Sequence, residues 1–190
     1  MFVGESLTGK TVARETLTKA ITNLAGTAPV YKPVEEYLLS AKAITMAELY
    51  GELNIVTNEW KDGLIAILAR KILEIEGKKI FLVFDSHVDP VWIENLNTVL
   101  DDSKMFCLTN GERIRLNDDS NVMFETRDLN QASPATVSRC GMVYFSNEFL
   151  GNENVFISLT KHNIDMFKKI MALICLEEFG LEYEALKAKC

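Results

Sequence analysis

The sequence predicts an α/β fold, a parallel sheet flanked by helices and carrying a phosphate-binding loop. Three observations carry that expectation. The octet GESLTGKT, Gly4 to Thr11, has the spacing GxxxxGK[ST] and runs directly into a helical pattern. The run Ile80 to Phe84 is continuously apolar, follows two lysines and ends in Asp85, as a strand buried on both faces of a parallel sheet does. Strand-like and helix-like segments alternate along most of the chain, the order expected of an α/β domain.

Taken in order, residues 11 to 25 (TVARETLTKAITNLA) place Val12, Leu17, Ala20, Ile21 and Leu24 at helical spacing, so a helix starts near Lys10 and is expected to bury that stripe. Small residues and two prolines from Gly26 to Pro33 form a connection, and VEEYLL at 34 to 39 reads as a short strand. Residues 46 to 50 suit one helical turn and 51 to 59 an irregular or hairpin segment. GLIAILARKILEIE at 63 to 76 suits a helix with Leu64, Ile67, Leu68 and Ile75 inward, ended by Gly77. The strand Ile80 to Phe84 is expected to be central in the sheet. Pro90 opens a helix over VWIENLNTVL that stops at Asp101 and Asp102. MFCL and ERIRL flank Asn110-Gly111, whose positive φ angles would close a tight hairpin. Residues 121 to 126 form a further strand, Ser133-Pro134 caps a short helix, and Gly141 to Phe145 forms the next strand. From Ser146 the pattern is helical and charged.

Composition narrows the function. Hydrophobic residues make up 48% and charged residues 25% of the 190, the balance of a folded globular domain. Twenty Lys and Arg against 27 Asp and Glu give a net charge of −7, with the acids scattered, which argues against a nucleic-acid or anionic-membrane surface. The longest purely apolar stretch, Ile170 to Leu176, is far short of the roughly 20 residues that span a bilayer. The four cysteines, Cys107, Cys140, Cys175 and Cys190, are spaced without any CxxC pair and only His87 and His162 could help them, so a zinc site is disfavoured and reduced thiols are expected.

The chemistry concentrates at two places. In the loop formed by Gly4, Glu5, Ser6, Leu7, Thr8, Gly9, Lys10 and Thr11, the glycines let backbone N–H groups face the β- and γ-phosphates of a nucleotide. Lys10 supplies compensating charge and Thr11 a hydroxyl ligand for Mg²⁺. Glu5 is the anomaly, since a carboxylate beside polyphosphate costs affinity unless it points outward. Asp85, at the end of IFLVFD, is the carboxylate for the magnesium shell. The next residue in hydrolysing sites is usually a Glu acting as general base, and here it is Ser86, with His87 a weak substitute and Asp89 three residues further on. Slow hydrolysis is expected.

AITMAELYGELNIVTNEWKDG (43 to 63), FDSHVDPVWIENLNTVLDD (84 to 102), NGERI (110 to 114) and ASPATVSRCGMVY (132 to 144) resemble dynein heavy chains, in particular the second AAA+ module of the motor ring and the axonemal members. The resemblance covers about Phe2 to Phe145. It implies a P-loop NTPase fold with a Rossmann-like, five-stranded parallel sheet flanked by helices, in a ring of six such modules within one long polypeptide. Residues 1 to 145 would form the large subdomain and 146 to 190 a partial or divergent helical lid. The resemblance also implies ATP and Mg²⁺ as ligands held structurally rather than hydrolysed. Arg139, in SPATVSRCG, matches the arginine finger projected into the neighbouring module's nucleotide, and Asp128 falls near the polar sensor-one position, usually Asn. Implied partners are the adjacent AAA+ modules and other dynein subunits, with microtubules reached only through other regions, in the cytoplasm and cytoskeleton of the ciliary axoneme. The departures are Glu5, Leu7 and Thr8 in the loop, a first strand of only Met1 to Val3 where about five residues are usual, and no arginine after Arg139 for a sensor-two role. A stand-alone P-loop ATPase, a degenerate module that binds no nucleotide, and an Arg139 engaged only in a local salt bridge stay open as alternatives.

Overall fold

The computed structural model describes residues 1–146; the helical lid expected over 146–190 falls, but for Ser146, outside the described residues. Five strands form one parallel sheet: β1 (Phe2–Gly4), β2 (Val34–Leu39), β5 (Lys79–Asp85), β8 (Ser120–Thr126) and β9 (Val143–Phe145), in the spatial order β2-β5-β8-β1-β9. β5 is thus flanked on both sides, as its unbroken apolar run requires, but β8 and not β5 is the middle strand. Two short antiparallel ribbons lie outside this sheet. One pairs β3 (Gly51–Leu53) with β4 (Trp60–Asp62), the other β6 (Met105–Cys107) with β7 (Arg113–Arg115). In the second, Leu108 N–H bonds Glu112 O and Gly111 N–H bonds Leu108 O, and only Gly111 takes a positive φ, of 87°. The turn is therefore a longer loop closed by a left-handed glycine, and Asn110 instead accepts the Glu112 N–H through its side chain.

The helices are α1 (Lys10–Asn23), α2 (Met46–Tyr50), α3 (Leu64–Leu73), α4 (Pro90–Ile93), α5 (Asn97–Leu100) and α6 (Pro134–Arg139), with a 3₁₀ turn (Glu94–Leu96) joining α4 to α5. Pro90 occupies the first turn of α4 behind the capping carboxylate of Asp89, and the helical run stops at Asp101 as expected. Thr45 and Glu48 form a reciprocal capping box at α2, and Ser133 caps α6.

The two sheet faces are built differently. On one face Leu39, Ile80, Leu82, Phe84 and Phe124 join Leu49, Ile65, Ile72, Trp92, Ile93 and Leu96 in the apolar core. Phe84 stacks on Phe124 at 5.4 Å and on Trp92 at 5.5 Å between ring centroids, offset contacts worth more than their buried area alone. On the other face Glu36 and Glu125 are met by α1, which turns Arg14 and Thr18 toward them.

The expected face of α1 is consequently wrong, and that of α3 holds only in part, with Leu64, Leu68 and Ile75 packed against the core and Ile67 outside it. Of the expected α1 stripe Val12, Leu17, Ala20 and Leu24 are exposed and only Ile21 turns inward, beside Arg14, 5% exposed, and Thr18. Charge pairing with two strand carboxylates, together with the position of Lys10 and Thr11 in the loop, sets the helix rotation against its apolar periodicity. In α3 the buried residues are Ile65, Ala66, Ala69 and Ile72, while Ile67 is 52% exposed and Leu64, Leu68 and Ile75 lie at the border. An almost wholly apolar helix offers several equivalent faces. Arg70 selects among them by bonding Asp62 at 2.7 Å and Glu112 at 2.6 Å.

Candidate functional site

All five strands are parallel, so their carboxyl ends gather along one edge of the sheet, the edge at which open α/β folds bind ligands. That edge carries the loop after β1, Asp85 after β5, and the segment after β8. Gly4 ends β1 where no side chain fits, since a Cβ there would lie 2.3 Å from the Phe145 carbonyl oxygen. Leu7 and Gly9 both take left-handed backbone angles, φ 66° and 86°, and wrap the loop. Leu7 does so at a cost of about 1–2 kcal/mol, with its side chain 94% exposed. Thr8 is buried and its hydroxyl donates to Glu5 O at 2.8 Å, tying the loop internally. Ser6 lies exposed at the loop's outer side.

Three features fit this loop to a polyphosphate. Gly9, at the N-cap of the 14-residue α1, offers no side chain to the first N–H groups, and the first turn holds no acidic residue, so the helix end keeps its affinity for an anion. Lys10 Nζ folds back to donate to Gly4 O at 2.6 Å and Glu5 O at 2.7 Å, which stations the ammonium inside the curl of the loop. The donor set for a hard cation, the Thr11 hydroxyl and the Asp85 carboxylate, is all oxygen, as Mg²⁺ prefers. Asp85 is exposed, and its carboxylate makes no hydrogen bond or ion pair among the described residues.

The structure adds residues that the sequence pattern missed. Thr11 does not bond Asp85; its hydroxyl donates to Glu125 Oε2 at 2.7 Å. Glu125 is 2% exposed and sits in register opposite Asp85 on the neighbouring strand. Its other oxygen accepts from Arg14 Nε, and Arg14 in turn bonds Glu36. Burial opposes the Arg14 charge, but the hydrogen bonds and charges of Glu125 and Glu36 outweigh it and raise its pKa above the ordinary value. Arg127, just beyond β8, forms a two-pronged pair with Glu5 at 2.8 and 3.2 Å, across the mouth of the loop. The Glu5 carboxylate is thereby turned outward and neutralised. Asp128, expected near a sensor position, spends its carboxylate on the Asn130 N–H at 3.1 Å and accepts the Thr126 hydroxyl on its carbonyl. The side chain that this segment sends to the loop is Arg127.

Ser86 follows Asp85 with its Oγ buried and unpartnered among the described residues, and its backbone N–H bonds Glu125 O at 3.2 Å. His87 is exposed, and its carbonyl accepts the Trp92 indole N–H. Neither supplies a carboxylate base. Arg139 lies elsewhere. It ends α6 ahead of β9, beside Met1 and the start of β8, bordering a recess of about 220 Å³. That is the amino-terminal edge of the sheet, separated from Lys10 and Asp85 by the length of the strands, about 20 Å for the seven residues of β8. There Arg139 Nε pairs with Asp101 at 2.5 Å and Nη1 donates to Ala135 O at 2.7 Å.

Residues 1–140 match the family model described as an AAA domain of the dynein-related subfamily. The chain is 47% identical over 156 residues to dynein axonemal heavy chain 1 of Rattus norvegicus, covering 80% of this chain and 4% of that one. It is 46% identical over 160 residues to the cytoplasmic dynein heavy chain of Drosophila melanogaster, covering 82% and 3% respectively. To the 1-alpha heavy chain of the flagellar inner arm I1 complex of Chlamydomonas reinhardtii it is 46% identical over 155 residues, covering 80% and 3%. The chain therefore spans only a few per cent of the length of these relatives. Sequence match, strand order and phosphate loop agree, and the chain belongs to the dynein-related subfamily of AAA domains.

Proposed function

We propose that this domain is a nucleotide-holding module of a dynein heavy chain, corresponding to the second module of the motor ring, which binds ATP·Mg²⁺ as a structural or regulatory ligand and hydrolyses it slowly. The observation that carries this reading is the pairing of a complete phosphate loop with a missing base. Lys10, Thr11 and Asp85 gather at the carboxyl edge of the sheet, while the position after Asp85 holds Ser86, which cannot take a proton from water at neutral pH. The nearest buried carboxylate, Glu125, already accepts from Thr11 and Arg14 and is not free to serve instead. When bound, Mg²⁺ would neutralise phosphate charge; Lys10 and the α1 amides would position the β- and γ-phosphates. By the same likeness the module contributes to a microtubule motor of the cytoplasm or axoneme through adjacent modules, and Arg139 serves the nucleotide of a neighbour.

The test is titration of the chain with a fluorescent ATP analogue in Mg²⁺, run beside a phosphate-release assay. Saturable binding with release close to the uncatalysed background is the expected result. Binding with brisk release would mean that another group acts as base, and no binding would make the domain a ring interface without a ligand.

The Arg127–Glu5 pair yields a prediction with opposed signs. Glu5→Gln frees Arg127 and removes a negative charge from the loop, so ATP affinity should rise about two- to fivefold, the scale of an exposed charge contact. Arg127→Ala should lower it by a similar factor, because Glu5 is then left unopposed beside the phosphates. In the double variant the two effects should fail to add, as expected of groups in contact. Calorimetric titration of the three variants measures this, and additive effects would show that the pair is unrelated to the ligand.

A further inference from the structure

Resting on the nucleotide-site reading above, we infer that Glu125 is a positioning residue for the metal, orienting the Thr11 hydroxyl so that its lone pairs are presented to Mg²⁺. A threonine hydroxyl has one hydrogen and two lone pairs. Here the hydrogen is committed to Glu125 Oε2 at 2.7 Å, a charge-assisted bond of nearly ideal length, which leaves the lone pairs of Oγ1 for a cation. The carboxylate cannot rotate away. Its other oxygen is held by Arg14 Nε, the residue is 2% exposed, and the guanidinium is anchored a second time on Glu36, which also accepts the Thr18 hydroxyl. Asp85 stands opposite Glu125 in the strand register, so both side chains leave the sheet on the same face, one exposed and unpaired among the described residues, the other buried and engaged. The pair divides the work: Asp85 is free to meet the metal shell, and Glu125 acts through Thr11. Outer groups that orient a ligand in this way change metal affinity by about 10–100-fold when removed.

The rival account is a brace, in which Glu125 and Glu36 do no more than fasten α1 to the sheet through Arg14. The experiment therefore compares ATP-analogue affinity in Mg²⁺ with affinity in EDTA, for the parent chain, Glu125→Gln and Glu36→Gln, with thermal melts confirming that each is folded. The parent should gain affinity from Mg²⁺. Glu125→Gln should cut that gain by about tenfold while leaving the EDTA affinity within about twofold. Glu36→Gln loosens the same Arg14 network without touching Thr11 and should retain the gain. If Glu125→Gln fails to fold, Glu125→Asp keeps the charge that Arg14 needs but withdraws it from Thr11 by one methylene, and the same loss of gain is expected. Equal losses in both media, or like behaviour of the Glu125 and Glu36 variants, would overturn the inference and leave a brace. A parent that binds in neither medium would overturn the nucleotide-site reading itself, and this inference with it.

Discussion

Lys10→Ala is expected to abolish measurable ATP binding, with an affinity loss of about 10²–10³-fold. The ammonium sits inside the loop, on the carbonyls of Gly4 and Glu5, and is the only cationic side chain of the octet. A nucleotide would exchange those neutral acceptors for charged phosphate oxygens, and charged hydrogen bonds contribute about 1.5–3 kcal/mol each. Two such contacts account for the predicted loss. The substitution leaves the apolar core untouched, since that core lies on the opposite face of the sheet from α1 and contains no loop residue. Unchanged melting temperature with lost binding is thus the expected pair of results, measured by thermal denaturation and by titration with the fluorescent analogue. Equal affinity in variant and parent would remove the phosphate-loop reading.

Arg139→Ala, made in the full-length heavy chain, should reduce ATP hydrolysis at the neighbouring module by about 10³-fold, the lower end for an arginine finger, and barely change nucleotide affinity in this module. The geometry supports the direction of the effect. Arg139 lies at the amino-terminal edge of the sheet, whereas Lys10, Thr11 and Asp85 lie at the carboxyl edge, so it cannot reach the nucleotide of its own domain. Its bond to Asp101 does not oppose a role in trans. The side chain is one-third exposed and its partner 44%, and such surface pairs contribute little and exchange partners readily. Arg139→Lys should also impair the neighbour, because an ammonium cannot reproduce the planar fork. Single-turnover kinetics at the neighbouring module would measure both variants; weaker binding in this module with the neighbour spared would make Arg139 a ligand in cis.

How much of this was legible in the amino-acid order follows from distance along the chain. Gly4 to Thr11 is contiguous, and its glycines, lysine and threonine can be read as a unit because the backbone between them makes the site. Asp85 was legible because the strand that delivers it is unbroken and apolar. Ser133 was legible as a cap and Pro90 as a first-turn residue, since both act within three residues, whereas the caps of Asp89 and of Thr45 with Glu48 came only with the structure. Glu125 was hidden inside an ordinary strand pattern, 111 residues from Arg14 and 114 from Thr11. Arg127 reaches Glu5 across 122 residues, and no local pattern marks it.

The sequence by itself determined the class of fold, the GxxxxGK[ST] pattern of the first loop, an aspartate at the end of an apolar strand and the absence of a carboxylate right after it, because each is a local pattern with a local physical cause. Only the tertiary structure decided which face of α1 is inward. Apolar periodicity pointed to Val12, Leu17, Ala20, Ile21 and Leu24, of which only Ile21 turns inward, and the helix instead buries Arg14 between Glu125 and Glu36. A guanidinium can be buried only when carboxylates from other strands are already in place to receive it. Its orientation is therefore a property of the assembled sheet, and no stretch of the chain read alone contains it.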